Sequence, residues 1–310
     1  MFEKHNHNIS SLEGKELEKA IKNDFGFEII NTEKITKGYS NQVYKGDLEN
    51  KNVFIRMNKD PRVFEVELLG YKRFEEQGIP VPKIIAYKEN PPSIGFPTMI
   101  MSSALGNIIP ELKLSPEEKD IVYENVGKLL KKIHETKLKG YGPLKVEDGE
   151  LAGKFSTYKE YDESRGEYSK KVFDFAVEKN YIIGEDIEKV KKAYEEISLL
   201  NIGNETSLLH HDMHRGHFFV KGTEISGLID LGALMAGDPR YDIAISLAHQ
   251  HPREQEAFKK GYGELANDPI VIKYLVTVLI RKIFFRNKEH VKGNVEALLP
   301  TLKDALAKLS

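Results

Sequence analysis

The densest run of ionisable side chains lies in LLHHDMHRGHFFVKGTEISGLID, residues 208–230, where His210, His211, Asp212, His214 and His217 fall within eight residues. A folding core has little use for so many such groups unless each is paired. Three chemistries compete for them. A zinc site would suit the imidazoles, but the segment reads as a loop between two short apolar strands, LLH and HFFV, and lacks the two-turn helical spacing of zinc hydrolases. A loop of solvated or structurally paired histidines is the plain reading for one histidine and a poorer one for a cluster. The third is phosphoryl transfer, in which a catalytic aspartate is followed five residues later by a metal ligand. From Asp212 that position is His217 (212 plus 5). Asp230 comes 18 residues after Asp212 (230 minus 212), at the end of a further apolar strand and before Leu231-Gly232. Two acidic groups on neighbouring strand ends are what this chemistry asks for: one to hold an acceptor hydroxyl, one to hold a divalent cation on the phosphates.

Such a loop needs a scaffold, and the chain supplies two kinds. After an opening helix at residues 14–23, the segments FEIINTEKI, NQVYKGDL and NVFIRMN are rich in β-branched and aromatic residues and predict an antiparallel meander. A helix is predicted over 63–77, stopped by Gly78-Ile79-Pro80, and strands follow at 83–87 and 97–106. From Ser115-Pro116-Glu117-Glu118, a capping box with proline at the first helical position, the pattern turns helical to about His134. Residues 139–157 read as Gly-rich and irregular, and helices are predicted at 158–180, 185–199, 241–250, 253–262, 269–287 and 294–309. The expectation is an α+β chain with a nucleotide-binding lobe at 1–103 and a helical lobe at 104–310 that carries the catalytic loop and the acceptor site.

The composition removes several alternatives. With no cysteine there are no disulfides and no thiolate metal sites. A net charge of −2, from 46 basic against 48 acidic residues, gives no global field for nucleic acid or an anionic membrane. The opening MFEKHNHNISSLEGKELEKAI lacks a signal-peptide core, and the most apolar stretch, 269–285, is interrupted by Lys273, Arg281 and Lys282, as in a helix packed on a core. The expectations are a cytoplasmic chain, no nucleic acid or membrane partner, and a monomer or weak dimer.

The motifs HHDMHRGHFFV, SGLIDLG and GDPRYDIA resemble the signature of the aminoglycoside phosphotransferase superfamily, HGDLHPGN, GVIDW and GDPxYDLA. The resemblance extends into the N-terminal part and implies a bilobal protein-kinase-like fold, with an antiparallel sheet lobe and an α-helical C-terminal lobe. It implies Asp212 as the catalytic carboxylate, Asp230 as the principal Mg2+ ligand and His217 as the second, where asparagine is usual. A neutral imidazole is a softer donor than an amide oxygen, although some members of the superfamily also carry histidine there. His210, Asp238 and Asp242 are implied as braces of the catalytic loop. On the nucleotide side, Arg56 in VFIR stands where a phosphate-binding lysine is usual, and its fork can still reach phosphate oxygens. Glu67, in a helix that runs into GIPVP, is its implied partner, with Glu65 the rival. The backbone of Ser40 and Asn41 is implied near the β- and γ-phosphates of ATP or GTP, and Met101, Ser102 and Ala104 at the purine.

The resemblance makes an aminoglycoside antibiotic the leading acceptor, and hence antibiotic resistance the role; a macrolide or an amino-alcohol metabolite is the rival enzyme substrate, and a non-catalytic nucleotide-binding protein stands outside both. A polycation wants a carboxylate-lined pocket. Glu160, Asp162, Glu163 and Glu167 are candidates for it, but Lys159, Arg165 and Lys170 interleave with them, so a solvated helix face competes. Tyr158, Tyr161 and Tyr168 would suit a more apolar acceptor.

Overall fold

The computed structural model describes residues 11–35, 41–200, 203, 205–288 and 295–309. The chain divides into two compact units: one runs to Asn107 and takes in Ser226–Gly232, and the other comprises Ile108–Ile225 and the chain from Ala233 onward. The segment that carries Asp230, expected with the helical part, is therefore grouped with the first unit.

In the first unit, α1 (Gly14–Phe25) precedes β1 (Ile29–Ile35), β2 (Gln42–Leu48) and β3 (Lys51–Met57); α2 (Pro61–Glu76), β4 (Ile84–Lys88) and β5 (Thr98–Ser102) complete it. The strands form one antiparallel sheet in the order β1-β2-β3-β5-β4. Alternation assigns the faces: Val53, Ile55 and Met57 of β3 pack with Leu17 and Ile21 of α1, which turns Arg56 to the other face. Helix α2 starts at Pro61 behind the cap Asp60, whose carboxylate accepts the Arg62 amide at 3.0 Å. Its buried stripe is Phe64, Glu67, Tyr71 and Phe74, at steps of three and four. Glu67 thus lies on the apolar face, whereas Glu65 is exposed.

After the short β6 (Asn107–Ile108), the second unit begins with α3 (Pro116–His134), whose capping box joins Ser115 and Glu118. Then come β7 (Lys137–Lys139), β8 (Tyr141–Glu147), β9 (Glu150–Phe155), α4 (Tyr158–Glu178), α5 (Glu185–Ser198), β10 (Glu205–Leu209) and β11 (Phe218–Lys221). Within β12 (Glu224–Leu228) the chain passes to the first unit at Ser226, and it returns at Ala233, just before β13 (Met235–Gly237). The helices α6 (Pro239–Leu247), α7 (Pro252–Tyr262), α8 (Pro269–Lys288) and α9 (Leu299–Ala307) follow. The expected antiparallel sheet lobe and helical C-terminal part are both present. No helix among the described residues is long and apolar enough to cross a membrane.

Residues 139–157, expected to be irregular, contain the hairpin β8–β9 within an antiparallel sheet ordered β7-β10-β13-β8-β9. Its turn is Asp148-Gly149, at φ 52° and 79°, with Glu147 opposite Glu150. That dipeptide is a strong hairpin signal. The glycines that suggested an irregular segment serve close strand approach: a Cβ at Gly153 would lie 2.2 Å from the Tyr141 amide nitrogen.

Helices α3 and α7 approach through two glycines. A Cβ at Gly127 would lie 2.2 Å from the Phe258 carbonyl oxygen, and one at Gly261 would lie 1.9 Å from that of Glu124. Because backbone must move, Gly127→Ala is expected to cost at least about 1–3 kcal/mol despite alanine's better helix propensity. Urea unfolding monitored by circular dichroism checks this, and an unchanged or raised midpoint would contradict the packing described.

Candidate active site

Strand β10 delivers the chain to His210, and α6 holds it there. Asp242, fully buried in the first turn of α6, accepts the His210 amide on Oδ2 and the His211 amide on Oδ1, both at 2.8 Å. Asp238 caps the same helix, accepting the Arg240 amide at 2.9 Å. Burial pushes the Asp242 carboxyl up, but the hydrogen bond from His134 and the charge of the surrounding imidazoles outweigh it and hold the group below the ordinary carboxylate range. His134 Nε2 lies 3.3 Å from Asp242 Oδ2, and its Nδ1 lies 2.7 Å from the Tyr262 hydroxyl. His134 is thus part of the brace.

Removing the Asp242 carboxylate strands one buried and one part-buried amide, so Asp242→Ala is expected to destabilise the chain by about 2–5 kcal/mol. Thermal or urea denaturation measures it. The wild-type contribution is complete above about pH 4, the carboxyl value of the unfolded chain, and is lost as pH falls through the lowered folded value. The stability difference between the two proteins should therefore narrow in acid, and a gap that stayed constant would remove the carboxylate as its cause.

Beyond the brace, His211 adopts φ 65°, a left-handed backbone that costs a side chain energy and concentrates at functional sites. Its ring stacks on Tyr241 at 5.5 Å, and burial, with the Arg281 and Arg165 cations, pushes its pKa down to about 3. The next residue, Asp212, keeps its side chain 41% exposed, which leaves the carboxylate available to a ligand. Its carbonyl oxygen lies 2.9 Å from His217 Nδ1, which must donate to it, so Nε2 of a neutral His217 carries the lone pair.

Asp212, His214 and His217 form the one group among the described residues with three ligand atoms mutually within 4.8 Å. His214 is poorly set up for a metal, because its Nδ1 already accepts the Gly216 amide at 3.0 Å, which leaves the proton on Nε2. Burial first, then the adjacent His217, pushes its pKa down to about 4. Asp212 and His217 therefore present donor atoms that suit a cation, and the three-ligand zinc reading loses its third member.

In the first unit Arg56 and Glu67 form a buried bidentate pair, with Nη2 2.9 Å from Oε1 and Nη1 on Oε2. Burial works against the charge on both partners. The mutual contact keeps the guanidinium charged and opposes the rise of the Glu67 carboxyl. Asp230 stands next to this pair at φ 66°, close enough for its charge to act on both partners. A Cβ at Gly232 would lie 3.1 Å from Glu67 Oε1 and 3.6 Å from Asp230 Oδ1, so glycine leaves open space at two carboxylates. Glu67 is fully buried on Arg56, whereas the exposed Asp230 carboxylate offers the hard oxygen donors that suit Mg2+.

Of the other residues expected at the nucleotide, Ser40 lies outside the described residues. The Asn41 side chain accepts the Asn58 amide group at 2.7 Å. Met101 is buried in β5, opposite Phe54 and Ile84. The Ser102 amide is committed to the Lys83 carbonyl at 2.8 Å and its hydroxyl accepts the Lys83 amide at 2.9 Å, while the Ala104 carbonyl accepts the Ser103 hydroxyl at 3.1 Å.

The acidic residues expected to line an acceptor pocket are mostly engaged elsewhere. Glu160 closes the capping box of α4, Glu163 faces Lys159 at 3.8 Å, and Glu167 is exposed. Asp162 instead shares a cleft with Arg165, Tyr241 and Arg281. Arg281 and Lys282, read from sequence as interruptions of an apolar helix, are half-buried. Burial first, then Arg281, pushes the Lys282 pKa down to about 7 against the pull of Asp212, and its Nζ meets His249 Nε2. Two adjacent cations inside an otherwise apolar helix were the available signal.

Residues 31–271 match the phosphotransferase enzyme family APH. Similar solved structures include a thermostable mutant of aminoglycoside phosphotransferase APH(4)-Ia in ternary complex with AMP-PNP and hygromycin B, 15% identical, covering 95% of this chain and 99% of that one at a TM-score of 0.70. Spectinomycin phosphotransferase APH(9)-Ia with ADP and spectinomycin is 15% identical over 97% of this chain and 98% of its own, at 0.62. A GDP complex of an aminoglycoside 2'-phosphotransferase-IIIa mutant is 13% identical over 93% and 96%, at 0.65. These likenesses are of fold. No curated protein sequence matches the chain.

Proposed function

Because the chain belongs to the APH phosphotransferase enzyme family, we propose that it moves the γ-phosphate of ATP or GTP to a hydroxyl of a small molecule, with Mg2+ as the required ion. The observation that carries this reading is the bidentate Arg56–Glu67 pair with the Asp230 carboxylate beside it. A guanidinium held rigid by a buried glutamate is a preorganised cation for phosphate oxygens, and an adjacent carboxylate is a ligand for the ion that accompanies them. An ion held there by Asp230 and His217 would supply positive charge against the negative charge that develops on the transferring phosphate.

The residues of the chain divide the remaining work. Arg56 and Glu67 hold the donor phosphates in place, Asp230 is the proposed principal ligand of the ion, and His217 a second through Nε2. Asp212 accepts a hydrogen bond from the acceptor hydroxyl, which aims its oxygen and takes its proton late in a loose transition state. His210, Asp238 and Asp242 keep that carboxylate in position by fixing the loop backbone. Asn41, Met101, Ser102 and Ala104 remain the proposed surroundings of the nucleotide, with Ser102 contributing through packing because its amide is occupied.

The test is binding and release of nucleotide by the full chain. AMP-PNP with Mg2+ is expected to raise the thermal midpoint of the wild type, EDTA to abolish that shift, and Asp230→Asn to weaken Mg2+-dependent binding by about tenfold or more, as for a lost charge-assisted contact. Nucleotide binding that ignored both Mg2+ and the Asp230 substitution would sink the assignment.

A further inference from the structure

Two arginines of the second unit face one cleft without carboxylate partners. The guanidinium carbons of Arg165, from α4, and Arg281, from α8, lie 5.9 and 5.6 Å from the centre of the same ring, that of Tyr241 on α6. Arg165 also donates to the Tyr161 hydroxyl at 3.0 Å. Among the described residues neither arginine forms an ion pair. Two other inward arginines are treated differently: Arg56 is paired with Glu67, and Arg240 with Asp238 and Asp268. Two guanidiniums brought to one aromatic ring repel each other, and burial works against the charge of Arg165. Cation–π contact offsets part of that cost, and a bound anion would offset the rest.

We propose that this cleft, lined by α4, α5, α6 and α8, receives a negatively charged group, a carboxylate or a phosphate, carried by the hydroxyl-bearing acceptor. The inference rests on the phosphotransferase reading and narrows its acceptor. The planar fork of arginine matches both groups, and Tyr194 in the lining offers a further hydroxyl, whereas that of Tyr274 is given to Asp238 at 3.3 Å. The cleft encloses about 50 Å³, and one water needs roughly 10–15 Å³, so it fits a head group of a few heavy atoms while the rest of the acceptor lies outside.

Its location suits that role. Tyr241 stacks on His211, the neighbour of Asp212, and Lys282, next to Arg281, feels the Asp212 charge. An acceptor anchored by its anionic end in the cleft would have its hydroxyl directed toward Asp212, with two guanidiniums and Lys282 screening the repulsion between carboxylates. Asp162 is the one carboxylate in the lining; burial raises it and Arg165 opposes the rise. Two cations against one anion make a poor home for a polycation, which sets this cleft against the aminoglycoside expectation.

The test keeps the donor site filled. Full-length protein saturated with AMP-PNP and Mg2+ is titrated at matched ionic strength with inorganic phosphate, acetate and methylammonium, and binding is read from the thermal midpoint. Phosphate or acetate should bind, the better of the two identifying the head group, and methylammonium should not. Arg281→Gln and Arg165→Gln should each weaken that binding about tenfold or more. Should Arg165→Gln fail to fold, Arg281→Gln and Arg281→Lys decide, lysine retaining charge without the fork and falling between wild type and glutamine. The proposal is overturned if neither anion binds, if anion binding survives the substitutions, or if methylammonium alone stabilises. The initial shift with AMP-PNP reports the donor site separately, so its absence would count against phosphoryl transfer rather than against the cleft.

Discussion

Alanine in place of Asp212 is expected to lower kcat by about 10²–10⁴-fold, the range typical of a positioned proton acceptor, with little change in stability. Both halves follow from how this residue is held. Its side chain is 41% exposed, and His217 Nδ1, 3.8 Å from the carboxylate, keeps its hydrogen bond to the Asp212 carbonyl after truncation. The loop is anchored instead through backbone: Asp242 takes the amides of His210 and His211, and the Asp212 carbonyl takes the His217 proton. A variant that lost activity together with its fold would reveal a structural carboxylate, and one that kept full turnover would remove Asp212 from the chemistry. Single-turnover transfer from γ-labelled nucleotide, beside a thermal melt, separates these cases. Nucleotide binding should survive the substitution, since Arg56, Glu67 and Asp230 are untouched.

The largest expected loss of stability comes from Glu67→Ala, at about 3–5 kcal/mol, because it leaves the Arg56 guanidinium charged and buried without its bidentate partner. The double change Arg56→Met with Glu67→Leu removes both charges and should recover most of that loss, since apolar residues of similar size often replace a buried pair at little cost. It should nevertheless raise the nucleotide KM and depress turnover, because no cation remains for the phosphates. Urea denaturation of the two single variants and the double, with steady-state kinetics on the double, forms the cycle. A double variant that was both stable and fully active would mean that the pair is an ordinary core device.

The opening strands, α2 and the helical second half were legible because each is written in a local pattern: β-branched alternation, a capping box, an apolar stripe. The distinction between Glu67 and Glu65 was also present, since Glu67 falls in step with Phe64, Tyr71 and Phe74, although motif spacing rather than this stripe suggested it. The β8–β9 hairpin went unread because its glycines were weighed as breakers, while Asp148-Gly149 carried the opposite message. The cleft arginines were not legible. Arg165 sits in a run of alternating charge on α4, and nothing local says which of those charges turns inward; Arg281 and Lys282 depend on the packing of α8 with α4, α5 and α6. Tautomers lie further out of reach, since the roles of His214 and His217 are fixed by a backbone amide and a carbonyl that only the folded loop brings to them.

Arg56 has a consequence for chemical labelling. Acyl phosphates of nucleotides capture a kinase by acylating an amine that faces the donor phosphates, and a guanidinium that stays protonated offers no nucleophilic lone pair. Held by Glu67, this position would remain silent to such reagents, so a lysine-directed survey of nucleotide-binding proteins would pass this chain over at the residue proposed to meet the phosphates.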